Sequence, residues 1–112
     1  MTSASKAKGS KFERDVVALL QEHGLAAEKV PLSGALGGKY SADVLVPILG
    51  QDKRLECKIR ATGFRQIYGW LADNYAVVCR ADRAEPLITL RLSDFAALAY
   101  RADVERSREE SQ

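Results

Sequence analysis

From Leu55 to Arg60 the chain alternates apolar and charged side chains, Leu55-Glu56-Cys57-Lys58-Ile59-Arg60, and a strand is the element that sorts such a run onto two faces. Glu56 and Lys58 are predicted to share a solvent-facing patch, while Leu55, Cys57 and Ile59 point into a core. Just upstream, Ala42-Asp-Val-Leu-Val-Pro47 is an apolar strand with one acid at its entrance, and Gly50-Gln-Asp52 supplies a turn. A hairpin of residues 42–47 and 53–60 follows, with Asp43 and Glu56 on neighbouring strands.

The remaining segments arrange themselves around that hairpin. A first helix is predicted to start after Ser10 and stop before Gly24, with Phe12, Val16, Val17, Leu19 and Leu20 on one arc. Residues 25–30 form a short strand, and residues 31–40 a loop whose three glycines permit unusual torsions or close approach to another backbone. Residues 64–71 read as a helix with Ile67, Tyr68 and Leu71 toward the sheet. Strands follow at 75–79 and 87–92, then a helix at 93–100 with Ser93 as its N-cap. The order is α-β-β-β-α-β-β-α, an α/β fold in which helices flank a central mixed β-sheet.

A chain of 112 residues, 46% hydrophobic and 29% charged, supports one core, and self-association would supplement so small a domain. The expected organisation is a flexible basic arm at 1–9, a single domain at 10–100 and a fraying charged tail at 101–112. Cys57 and Cys79 lie in apolar runs without CxxC spacing, so they read as small core residues in a reducing compartment. The N-terminus lacks an apolar signal core, and no run approaches the roughly 18 apolar residues that span a bilayer. A soluble, cytoplasmic protein is expected.

Net charge is only +2, but residues 1–60 carry ten Lys/Arg against seven Asp/Glu, and the remainder seven against eight. The excess in the first half leaves Lys6, Lys8, Lys11, Arg14, Lys29 and Lys39 for phosphates, with Arg60 or Arg65 as further contacts. A solvated surface explains the same charges equally well.

Asp43 and Glu56, joined by Glu13 from the first helix, can converge on one divalent metal, since Mg²⁺ takes carboxylate oxygens together with water and phosphate. Lys58 beside them suits orienting a water or offsetting developing charge, so metal-dependent phosphodiester hydrolysis is the leading reading. Glu13 has a second explanation. Ser10-Lys11-Phe12-Glu13 fits the S-x-x-E capping box, and local sequence favours that cap, although Glu13 falls inside the apolar arc where a carboxylate needs a partner. His23 beside Gly24 reads as a helix-terminal residue, Ser33 has no nearby His, and no phosphate-binding G-x-x-x-x-G-K-[ST] loop exists, so no nucleotide cofactor is expected.

The runs Lys8-Gly-Ser-Lys-Phe-Glu-Arg14, Val30-Pro-Leu-Ser-Gly34, Ala42-Asp-Val-Leu-Val46 and Leu55-Glu-Cys-Lys58 together resemble the archaeal-type Holliday junction resolvases of the PD-(D/E)xK nuclease superfamily. The resemblance implies a restriction-endonuclease-like fold and an endonuclease that uses Mg²⁺ or Mn²⁺. It gives metal-binding roles to Glu13, Asp43, Glu56 and the backbone carbonyl of Cys57, water activation to Lys58, and a place near the scissile phosphate to Ser33. It further implies a homodimer cutting opposing strands of a four-way DNA junction in recombination or repair. Three departures stand out: Ala42 replaces the family's proline, which supplies no ligand; Cys57 replaces a commoner apolar residue and only packs; and the segment Gly63 to Asp73 is shorter than the family's usual helix, while the short C-terminal half resembles phage or prophage members. A nuclease of flap, duplex or nicked DNA, and a non-catalytic DNA-binding protein of the same fold, are the alternatives. The complete Asp43/Glu56/Lys58 set argues against the latter. Phe64, Tyr68 and Trp70 are assigned no function.

Overall fold

Val44, Leu45 and Val46 are all buried, as befits the middle strand of a sheet. The computed structural model describes residues 3–31 and 43–111. Its elements are α1 (Ser3–Glu22), β1 (Glu28–Lys29), β2 (Val44–Ile48), β3 (Gln51–Leu55), α2 (Arg65–Leu71), β4 (Ala76–Cys79), β5 (Leu87–Leu90) and α3 (Leu92–Glu110). This is the predicted α-β-β-β-α-β-β-α order. Val44 and Val46 join Val16 and Leu20 of α1 and Ala96 and Ala99 of α3 in one core, so α1 and α3 cover the same face of the β1-β2-β3 sheet.

The expected single mixed sheet is replaced, among the described residues, by two antiparallel ones: β1-β2-β3, and the hairpin β4-β5. Among the described residues the β2–β3 ladder ends at the Val44↔Leu55 pair, and the amide of Cys57 beyond it donates to the Asp43 side chain. Burial still alternates along residues 56–60, with Glu56, Lys58 and Arg60 exposed and Cys57 and Ile59 half-buried. β4 instead pairs with β5, from Ala76↔Leu90 to Cys79↔Leu87. Cys79 is exposed there, and not in the core as expected.

The turn of the first hairpin is Leu49-Gly50, one residue earlier than predicted. The pair Ile48↔Gln51 closes a two-residue loop in which φ is +54° at Leu49 and +79° at Gly50, the left-handed sequence of a type I′ turn. Leu49 is held in that costly conformation by its N–H donating to Asp103 Oδ1 of α3, at 2.5 Å.

α1 begins at Ser3, well ahead of the expected start after Ser10. Residues 3–8 are Ser, Ala and Lys with no proline, so they extend the helix, and Gly9 lowers its stability by only about 1 kcal/mol. The basic arm is thus largely helical. At its other end Leu25 N–H bonds Leu20 O at 3.1 Å and Gly24 N–H bonds Gln21 O at 3.0 Å, the Schellman arrangement with Gly24 at φ +91°. His23 Nδ1 adds a contact to Leu19 O at 2.9 Å, in keeping with its helix-terminal reading.

α3 runs to Glu110, so the tail expected to fray is helical over residues 101–110. Its i,i+4 pairs Arg101–Glu105 (3.5 Å) and Arg106–Glu110 (2.9 Å) supply the local support that alternating charge offers a solvated helix. Arg91, with extended backbone, takes the N-cap position predicted for Ser93. On α2 Leu71 is buried and Ile67 half-buried, but Tyr68 is 73% exposed, so it does not face the sheet.

Candidate functional site

Among the described residues, three hydrogen bonds fix Asp43 at the point where β1, β2 and β3 meet. Its N–H donates to Leu55 O (3.1 Å) and its carbonyl accepts from Val30 N–H (3.0 Å). Its Oδ2 accepts from Cys57 N–H at 2.8 Å, which draws the 56–58 run against the Asp43 carboxylate. Glu56 and Lys58 lie two residues apart on the outward face, as the alternation predicts, and Lys58 Nζ stands 3.1 Å from Glu56 Oε1. Both are well exposed, so this pair adds little stability.

Glu13 does not cap α1. The helix starts a full ten residues before it, so the capping-box reading fails: the amides that Ser10 would cap are already inside the helix. Its side chain is only 16% exposed and Lys29 Nζ lies 3.6 Å away on β1, close enough to supply a counter-charge. Lys29 also donates to Ser10 Oγ at 2.7 Å, and Arg14 Nη1 to the same oxygen at 3.0 Å. Lys29, expected among the phosphate-binding cations, is therefore occupied in fastening α1 to β1 and in holding Glu13. Strand alternation over two residues is too short a signal to have shown this. Lys29→Met should lower stability by about 1–2 kcal/mol, less than for a fully buried pair because Lys29 is partly solvated, and urea unfolding would measure it.

The thiol of Cys57 is half-buried among acids. Burial first, then the charges of Asp43, Glu13 and Glu56, push it up to about 11. Acids from α1, the entrance of β2 and the run after β3 all raise it. At pH 8 only about one Cys57 in a thousand is thiolate. Iodoacetamide at that pH should modify the exposed Cys79 and spare Cys57, as peptide mass mapping would show.

Among the described residues, no three His, Cys, Asp or Glu side chains stand close enough together to hold a metal ion. The donor chemistry suits a hard dication all the same: three carboxylates and a backbone carbonyl are oxygen donors of the kind Mg²⁺ and Mn²⁺ accept. Two of the three acids now sit against lysines, Lys29 and Lys58.

The other candidates are less concentrated. Lys8 is exposed on α1, Lys11 pairs with Asp15 at 2.9 Å, and Arg14 bonds Ser10. Arg60 Nη1 donates to the carbonyl of Ile59 at 2.8 Å. Ser33 and Lys39, with Ala42, lie outside the described residues. No helix among the described residues is long and apolar enough to cross a membrane.

No curated protein and no solved structure gives a significant match to this chain. The archaeal Holliday junction resolvase (Hjc) family profile, by contrast, matches residues 4–111, which covers the helices and sheets of the described residues except for Ser3. A match over nearly the whole length means that the chain belongs to the archaeal Holliday junction resolvase family, endonucleases that act on DNA junctions.

Proposed function

We propose that this protein is a divalent-metal-dependent endonuclease that hydrolyses phosphodiester bonds at four-way junctions, acting in recombination or repair in the cytoplasm. The observation that supports the reading is the clasp between Asp43 and the Cys57 amide, which ties the run bearing Glu56 and Lys58 to the strand entrance bearing Asp43, with Glu13 of α1 as the third acid of the proposed set. Asp43, Glu56, the Cys57 carbonyl and Glu13 would hold Mg²⁺ or Mn²⁺. Bound there, the ion supplies Lewis-acid polarisation of the phosphate and lowers the pKa of a water.

The chain's own groups do the rest. Lys58 supplies a positive charge that orients the attacking water and offsets charge building on the phosphate oxygens. As the water oxygen bonds to phosphorus, one P–O ester bond breaks, and the proton lost by water ends on the departing hydroxyl. Ser33 contributes near the scissile phosphate, and Lys8, Lys11, Arg14, Lys39 and Arg60 contact flanking phosphates, so binding falls steeply with salt.

Two active sites are needed to cut two strands, and a homodimer supplies them. Support comes from the β4-β5 hairpin, where Val78, Leu87 and Ile88 are exposed, since an uncovered apolar patch on so short a sheet favours self-association.

Cleavage of a labelled four-way junction and a matched linear duplex, in Mg²⁺ or EDTA, tests the reading against Glu56→Ala. Paired symmetric cuts in the junction, absent in EDTA and in the variant, are expected. Equal cutting of duplex would remove the junction preference, and binding without cutting in either Mg²⁺ or Mn²⁺ would remove the enzyme.

A further inference from the structure

Lys58 faces two ways. Besides its contact with Glu56, it lines a cavity of about 200 Å³ bounded by Phe12 of α1, the run from Lys58 to Thr62, and Phe64, Arg65 and Tyr68 at the start of α2. All three charged side chains lining it are cations: Lys58, Arg60 and Arg65. Among the described residues neither Arg60 nor Arg65 has a carboxylate partner, so their charge is available to an anion. The remaining wall is aromatic, from Phe12, Phe64 and Tyr68.

The same three aromatic residues line a mainly apolar groove of about 500 Å³ that continues over Val16, Leu19 and Leu71, with Asp15 and Arg91 also in its wall. One cleft is therefore cationic at the Lys58 end and mainly apolar at the other. Cofactor and drug-sized sites begin near 300 Å³, which the cationic cavity alone does not reach, whereas a single flat ring fits it. Tyr68 is 73% exposed on a helix whose neighbour Leu71 is buried, so its ring is presented to solvent at no evident benefit to the core. An exposed aromatic beside unpaired cations is the composition of a site that stacks a base and holds its phosphate.

We propose that this cleft is a subsite for one unstacked nucleotide next to the cut, with its phosphate held by Lys58, Arg60 and Arg65 and its base laid against Tyr68. The proposal rests on the nuclease reading for the location of the cut, but not on turnover. A branched junction offers bases at the crossover that lack a stacked neighbour on one side, and a subsite of this kind favours them over bases inside a continuous duplex. Tyr68 and Arg65 then act as substrate-selecting residues, while Asp43, Glu56 and Lys58 serve the chemistry.

The test is a binding cycle in Ca²⁺ or EDTA, measured by fluorescence anisotropy. The probes are a labelled four-way junction and a series carrying one abasic nucleotide at each position flanking the crossover. Tyr68→Ala should weaken binding of the intact junction about tenfold, within the range for loss of one stacked base. Tyr68→Phe should restore it, because only the ring face is used. At one abasic position the wild type should lose the same factor and Tyr68→Ala should lose nothing more. Arg65→Ala should reduce the slope of log affinity against log salt by about one phosphate contact.

If the Tyr68→Ala and abasic effects multiply at every position, or if Tyr68→Ala binds like wild type, the subsite is overturned. Retained circular dichroism and melting temperature separate either result from unfolding, which an exposed ring should not cause. If the wild type binds with this pattern but never cuts in Mg²⁺ or Mn²⁺, the nuclease reading fails and the subsite stands. If it cuts with no such pattern, the reverse holds.

Discussion

Asp43→Asn is expected to fold, to bind a four-way junction and to leave it uncut. Asparagine keeps an oxygen that can accept the Cys57 N–H, so the clasp seen at 2.8 Å survives the change, while the negative charge that a dication requires is gone. Loss of a metal ligand removes several kcal/mol of transition-state stabilisation, which at 1.4 kcal/mol per decade is about 10³-fold or more in single-turnover rate. Asp43→Ala should differ in a diagnostic way. It loses the charge and also leaves the Cys57 amide without its acceptor, costing about 1–3 kcal/mol of stability beyond the lost activity. Parallel single-turnover assays and urea titrations of the two variants separate the chemical role from the structural one. Equal stability of both would mean that the clasp contributes nothing to the fold, and cleavage by Asp43→Asn at near wild-type rate would remove Asp43 from the metal site.

The second large effect lies beneath the site. Leu20 is fully buried, closes the Schellman end of α1 through its carbonyl, and packs with Val16, Val44, Val46 and the alanines of α3. Leu20→Ala should cost about 2–5 kcal/mol, transfer and cavity terms combined, from a total that for a domain of this size is only about 5–15 kcal/mol. A fall in melting temperature of roughly 10–20 °C follows. Leu98 on α3 is the control: it is 56% exposed, and Leu98→Ala should stay within about 0.5 kcal/mol of wild type. Because α1 also carries Glu13, Leu20→Ala should lose cleavage at high temperature and regain it on cooling. A loss that persists in the folded variant would indicate that Leu20 also sets the position of Glu13.

Much of this architecture was legible residue by residue. The element order follows from apolar periodicity and from punctuation by Gly24, Gly50 and the polar 80–86 connection, and the outward pairing of Glu56 with Lys58 follows from two-residue alternation alone. These are local properties, determined by geometry within a few bonds. Glu13 shows where local reading ends. Ser10 and Glu13 satisfy the capping pattern perfectly well, but nothing within four residues of them says that the helix already exists upstream.

The sequence by itself therefore determined the order of the elements, the two faces of the 55–60 run, the apolar arc of α1 and the short list of acids. Tertiary structure decided which of those groups meet. Lys29, nineteen residues from Ser10, fastens α1 and offers Glu13 a counter-charge, and the Asp43 side chain takes the amide of Cys57 fourteen residues away. Arg101, Glu105, Arg106 and Glu110 remain helical because α3 is anchored by Ala96 and Ala99 in the core and by Asp103 on the hairpin turn. The physical reason is the same in each case. Periodicity is set by the backbone within one element, whereas a buried charge or an orphaned amide is satisfied by whichever partner the packed chain brings near, and that choice spans separations no local pattern encodes.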